Sequence, residues 1–255
     1  MASGLTQRLA METDRRLPAG RHALPREFVV RSQRDRILDA MAAACAERGY
    51  SDVSIADVVG RAQVSRKAFY DLFGDKEACF LAAFDAILAR FLQETLAACN
   101  FDGLSWPDQM RLGIGAGLDF MAAEPEFTRM CMIDVFAVGP AAVDRHQSVI
   151  QVLAAFVDRG RAEIEGGATL TGRIAPALVE GAALAIRNEI LSGRTAEVPR
   201  LLPALLYTTL VPFLGPQEAL RHSREAAAAG TGARTSQDAS DPPDVDPAAG
   251  GAGGD

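Results

Sequence analysis

The feature that most constrains this chain is the block 54–73, where two helix-start serines stand eleven residues apart around a three-residue break. Ser54 can accept a hydrogen bond from the amide three residues on, and Asp57 at that position completes a capping-box-like pair and complements the helix dipole. Ser65 caps a second short helix that runs to Phe73. Ile55, Val58 and Ala62 in the first helix, Val64 in the turn, and Phe69 and Phe73 in the second are spaced so that the two helices pack at a steep angle. With both phenylalanines turned inward, Arg66, Lys67 and Tyr70 emerge together on the opposite face.

That trio suits a reader of the DNA major groove. Arginine can bond bidentately to guanine O6 and N7, lysine can reach guanine or phosphate, and a tyrosine hydroxyl can donate to phosphate. Lys76, at the start of the following helix, is placed for the flanking phosphates, and the hydroxyls of Ser54 and Ser65 can donate to phosphate while also capping. A net charge of -7 opposes polyanion binding in bulk. Over residues 1–36, however, eight arginines stand against four carboxylates, a local +4. A local basic face matters more than the overall sum, because charge acts over about a Debye length. Arg31 and Arg34, nearest the fold, are the candidates for a minor-groove contact.

The rest of the chain reads as helix throughout. Aromatic residues make up 6% of it, and runs of β-branched residues are few. Residues 1–30 read as a flexible basic arm and 31–78 as a helix-turn-helix domain that opens with an amphipathic helix over 32–48. Gly60 falls inside the second helix, and Gln63 stands in the turn. A long fourth helix carries Phe80, Phe84, Ile87 and Phe91 on one face into a helical body, 79–215. Helix starts in that body are marked at Ser105-Trp106-Pro107, Glu124-Pro125, Gly139-Pro140, Pro176 and Pro199. From Pro216 the chain has no aromatic residue and is rich in Ala, Gly, Asp and Ser, so 216–255 is expected to be a disordered tail. The fold class is therefore all-α, a three-helix helix-turn-helix DNA-binding domain followed by a larger helical domain, for which the ligand-binding and dimerisation roles come from the family resemblance and the two-fold symmetry given below.

Cys45, Cys79, Cys99 and Cys131 are scattered without metal or redox spacing and read as core thiols in a reducing cytoplasm. No stretch approaches a membrane span. No nucleophile elbow, phosphate loop or metalloprotease motif is present, so neither catalysis nor a metal or other cofactor is expected.

Residues 34–84 resemble the DNA-binding domain of the TetR (tetracycline repressor) family. The resemblance is carried by Arg36-Ile37-Leu38-Asp39-Ala40, Gly49-Tyr50, Ser54-Ile55 through Ala62, Val64-Ser65, Phe69-Tyr70-x-x-Phe73 and Asp75-Lys76-Glu77. Gln63 departs from the glycine usual in that turn. The resemblance assigns Tyr70 and Lys76 to phosphates, and Arg66 and Lys67 to bases or backbone. It implies a regulator, commonly a repressor, that senses a small-molecule effector inside its helical body.

Two-fold dimers place two recognition helices about one DNA turn apart, roughly 34 Å, so a homodimer surface is expected. The last two helices of the body supply it, with Leu178, Ala182, Ile186, Leu202, Leu206 and Leu210 as interface residues. Phe120, Met121, Phe127, Met130, Met132, Phe136 and Phe156 are the apolar side chains available to line a pocket, and no individual residue is assigned to the ligand. The competing readings are a helical protein-interaction module and a constitutive repressor without ligand sensing.

Overall fold

The computed structural model describes residues 26–99, 103–163 and 170–238; the arm over 1–25 and the chain end over 239–255 lie outside the described residues. Among those described there is no strand. The helices are α1 (Arg26–Arg48), α2 (Ile55–Ala62), α3 (Arg66–Leu72), α4 (Lys76–Cys99), α5 (Trp106–Ala123), α6 (Pro125–Arg129), α7 (Val135–Val138), α8 (Pro140–Asp158), α9 (Ile174–Leu191), α10 (Leu202–Leu214) and α11 (Pro216–Asp238). One π-helical turn, Met130–Asp134, joins α6 to α7, and 3-10 turns cover Tyr50–Asp52, Arg159–Glu163 and Thr195–Leu201.

The caps read from the sequence form as expected. Ser54 Oγ accepts from the Asp57 amide at 3.3 Å, and the Asp57 carboxylate accepts from the Ser54 amide at 2.9 Å. Ser65 Oγ accepts from the Ala68 amide, and Ser105 Oγ from the Asp108 amide. Phe69 and Phe73 pack with centroids 5.7 Å apart beneath α3, and Phe80 meets Tyr50 edge-on at 5.2 Å. Ile37, Met41 and Val58 close this core from α1 and α2. The same cluster runs on through Phe84, Phe91, Leu118 and Phe127 into the body, so no polar layer separates the two halves. A second cluster, around Trp106, Met110, Leu206, Leu210 and Phe213, fills the far end.

Two boundaries differ from those the sequence suggested. Helix α1 begins at Arg26 rather than near residue 32, because the stretch after Pro25 has no further breaker and places Glu27 in the first turn, where it complements the dipole. The supposed disordered tail from 216 is helical over Pro216–Asp238. After the turn at Gly215, with φ of 78°, α11 folds back along α10 and buries Ala219, His222 and Ala226. Ser223 Oγ donates to the Pro203 carbonyl at 2.8 Å, and alanine's high helix propensity supplies what the composition-based reading omitted.

The turn between α2 and α3 holds a local strain. Gln63 is left-handed, with φ of 53° and ψ of 47°, a conformation that costs a non-glycine residue about 1–2 kcal/mol. Gly60 is helical, and a methyl group added there would meet nothing within 4 Å. Gln63→Gly and Gly60→Ala should therefore each raise unfolding stability by about 1 kcal/mol, read as a higher urea midpoint at unchanged m-value.

Candidate nucleic-acid interface

Helices α2 and α3 form the two arms of a helix-turn-helix, and α3 turns its charged face to solvent. Ser65, Arg66, Lys67 and Tyr70 are all exposed, Tyr70 to 54%, while Phe69 beneath it is fully buried. Arg66 has no ion-pair partner among the described residues. Lys67 lies 2.8 Å from Asp71 one turn along, an exposed pair whose small net energy leaves the amine free to exchange partners. The Ser65 oxygen accepts the α3 capping bond, and its proton remains available to an acceptor. The Arg34 guanidinium lies 5.9 Å from the centroid of the Phe73 ring, at the end of α3.

Two of the residues expected to touch phosphate are engaged inside the domain. Lys76 Nζ donates to the carbonyls of Tyr50 and Val53, at 3.0 and 2.9 Å, and sits 4.0 Å from the centroid of the Tyr50 ring. Its charge satisfies carbonyls of the loop before α2, so it does not stand free beside the surface trio of Arg66, Lys67 and Tyr70. Ser54 Oγ donates to Asp57 at 2.6 Å, so its proton is also committed. Asp57 is held down at about 2, chiefly by the Ser54 hydroxyl and amide, with Arg48 assisting at 3.1 Å.

The expected dimer residues divide in a similar way. Ile186, Leu206 and Leu210 are buried within the single chain, and Leu178, Ala182 and Leu202 are partly buried, so the set faces the protomer's own interior. The outward side of α9 is another stripe, Ala177, Gly181, Leu184, Asn188 and Leu191, with Leu184 57% and Leu191 60% exposed. Helix α10 is apolar nearly all round, so its pattern could not say which side faces in.

The body holds two adjoining apolar cavities. The deeper, about 120 Å³, lies among α4, α5, α8, α9 and α10 and includes Thr95, Cys99, Met110 and Thr209 in its wall. The second, about 90 Å³, is lined by Phe84, Phe127, Cys131, Met132, His146 and Ile150 among others. Of the aromatic and methionine residues singled out in the sequence, Met121, Phe127, Met132 and Phe156 do line these spaces, and Phe136 stands at a surface vestibule beside the second. Phe120 packs against Phe91 and Phe127, and Met130 is core.

Between cavity and head lies a contact that the sequence did not signal. Asp134, at the end of the π-turn, is buried and accepts the Tyr50 amide through Oδ1 at 3.2 Å, and its Oδ2 is 3.7 Å from Arg129 Nε. Burial pushes its carboxyl upward against the pull of the Tyr50 amide and Arg129. Gly49, with φ of 80°, lies alongside, and a methyl group there would come within 3.7 Å of Asp134 Oδ1. Cys131 and Met132 of the same π-turn line the second cavity. The turn therefore touches the cavity with one part and the helix-turn-helix with another.

Such an assembly, a helix-turn-helix head rooted in a hollow helical body, is the architecture of a one-component DNA-binding regulator. The sequence model of the bacterial regulatory proteins of the tetR family matches residues 37–83, so the helix-turn-helix head is similar to the DNA-binding domain of that family. Solved structures share the fold. The fatty acid degradation regulator FadR from Bacillus halodurans aligns with a TM-score of 0.61 at 16% identity, over 72% of this chain and 96% of that one. A TetR-like transcriptional regulator from Rhodococcus sp. RHA1 gives 0.54 at 21%, over 72% and 96%. FadR from Bacillus subtilis, in complex with stearoyl-CoA, gives 0.60 at 14%, over 71% and 98%. No curated protein matches the chain by sequence. Among the described residues no helix is long and apolar enough to cross a membrane, and no group of three metal-ligating side chains converges.

The split between outward and inward cations gives a contrast. Arg66→Ala should weaken specific DNA binding by about 1–3 kcal/mol, and Lys67→Ala should reduce the slope of log K against log salt by about 0.9. Lys76→Met should leave that slope unchanged and lower unfolding stability by about 1–2 kcal/mol, as anisotropy titrations and urea melts would report.

Asp39 on α1 gives a pH signature. It is pushed up to about 6, first by burial and then by the negative charges of Asp35 and Glu126, with Arg90 opposing. Because the folded value exceeds the unfolded one, its contribution to stability is fully present below the ordinary 3.8 and is lost as pH rises through about 6. Asp39→Asn should flatten the dependence of the urea midpoint on pH between about 4 and 6.

Proposed function

We propose that this regulator is an effector-responsive repressor that binds a palindromic operator as a homodimer and leaves it when a small molecule occupies the body. The observation that carries the reading is the π-turn Met130–Asp134, which lines a cavity through Cys131 and Met132 and holds the Tyr50 amide through Asp134. A ligand that displaced the turn would act on the loop leading into α2. Release then requires that the ligand favour the poorly binding state, since equal affinity for both states shifts nothing. The stearoyl-CoA seen in one fold neighbour supports the idea that a body of this shape can house an effector.

DNA contact is assigned to Ser65, Arg66, Lys67 and Tyr70, with Arg34 toward the flank. The homodimer is assigned to the outward stripe of α9, Ala177, Gly181, Leu184, Asn188 and Leu191, with Ala204 and Thr208 of α10 exposed nearby. The small residues allow close approach, and the two exposed leucines supply the apolar area that association needs.

Selection of random duplexes by the purified protein, followed by anisotropy on the enriched site, tests the reading. An inverted repeat bound more weakly by Tyr70→Phe and Arg66→Ala is expected; no enrichment at low salt would remove the DNA-binding reading. A Leu184→Arg, Leu191→Arg double variant should sediment as a monomer and lose operator affinity by about two orders of magnitude or more, because the second half-site no longer binds intramolecularly.

A further inference from the structure

The two cavities are divided only by shared walls. Phe91, Met121, Leu153, Val179, Ala182 and Ile186 line both, forming a waist between a deep lobe and an outer one. The outer lobe in turn shares Met132, His146 and Ala183 with a surface vestibule that also includes Phe136, Glu180 and Arg187. Charged groups along this path are confined to the vestibule. The polar side chains elsewhere are the Thr128 hydroxyl, bonded to the Met121 and Glu124 carbonyls, and the His146 ring in the outer lobe, and the uncharged hydroxyls of Thr95 and Thr209 in the deep one.

The vestibule is asymmetric in what it leaves unpaired. Glu180 Oε1 accepts from Gln147 Nε2 at 3.2 Å. Arg187 has no carboxylate partner among the described residues; its buried Nε has no hydrogen-bond acceptor, and its guanidinium lies 5.2 Å from the centroid of the Phe136 ring. Phe136 is 45% exposed and meets His146 edge-on at 5.1 Å, so the aromatic rings form a mouth with a cation beside it.

We propose that the two lobes are one channel for a linear aliphatic carboxylate, with its chain running inward across the waist and its carboxylate at the vestibule on Arg187. This rests on the reading of the body as an effector site and adds the class of effector. A compact apolar molecule fills one lobe and leaves the other empty, whereas a chain threads both. The walls reward apolar length, and the buried Arg187 Nε, which has no hydrogen-bond acceptor, rewards a terminal carboxylate that supplies one, on the side of the mouth away from the Gln147-bound Glu180 carboxylate. Leu184 lines the vestibule as well as belonging to the α9 stripe, so the mouth opens at the rim of the proposed dimer contact.

Isothermal titration calorimetry of the full chain with hexanoate, octanoate, decanoate and dodecanoate tests this, with adamantane-1-carboxylate and 1-decanol as comparators. Affinity should rise about fourfold per added methylene while the chain still fits. Decanoate should bind well above the compact adamantane acid. Arg187→Met, which keeps an apolar stem against Phe136, should weaken decanoate about tenfold or more and change 1-decanol little. Affinity independent of chain length, an adamantane acid that binds as well as decanoate, or equal losses for acid and alcohol in Arg187→Met would each overturn the proposal. Operator release measured in parallel separates the two readings. Decanoate that binds without releasing DNA upholds the channel and overturns the release mechanism; release by a compact molecule with no decanoate binding does the reverse.

Discussion

Helix α4 is buried in two places at once, and most of the architecture follows from that. Its first turns carry Cys79, Phe80 and Phe84 into the core beneath the helix-turn-helix, and its later turns carry Phe91, Thr95 and Cys99 to the wall of the deep cavity. A continuous helix of 24 residues spans about 36 Å and bends little without a breaker, of which this segment has none. The wall of the deep cavity and the core beneath the helix-turn-helix therefore share one stiff element. Because apolar packing runs unbroken from head to body, the two ends resist moving independently.

The polar bond laid across that apolar junction matters for a different reason. Asp134 lies in a site where its charge is costly, and the Tyr50 amide and Arg129 compensate it. Such a contact is specific in direction, since the amide donates one proton along one line and the carboxylate that accepts it sits on a π-turn, a local under-winding frequent at functional sites. The packed core provides cohesion between head and body, while this bond fixes their register.

The head was legible almost residue by residue because its signals are local. Ser54, Ser65, the Phe69/Phe73 pair and the strained Gln63 all act within a few positions of themselves, so spacing alone fixes them. What escaped the sequence was decided by packing. Lys76 looks like a surface cation until the carbonyls of Tyr50 and Val53 are brought to it from more than twenty residues away. Leu206 and Leu210 sit on a helix without a polar face, so which neighbour covers them depends on the fold rather than on the pattern. The π-turn has no residue signature. Helix α11 was hidden by a composition that also fits disorder, and only the i, i+3, i+7 spacing of Ala219, His222 and Ala226, buried against α10, distinguishes the two.

The four cysteines take on a use once their places are known. All are buried free thiols, and burial pushes Cys45 and Cys79 up to about 12, Cys131 well above its ordinary range and Cys99 upward as well. A thiol in that state is a poor nucleophile and reacts only after its surroundings part. Cys45 and Cys79 lie in the core beneath the helix-turn-helix, while Cys99 borders the deep lobe and Cys131 the outer one. The chain thus contains four built-in clocks, whose alkylation under native conditions times the opening of the head separately from the opening of each lobe.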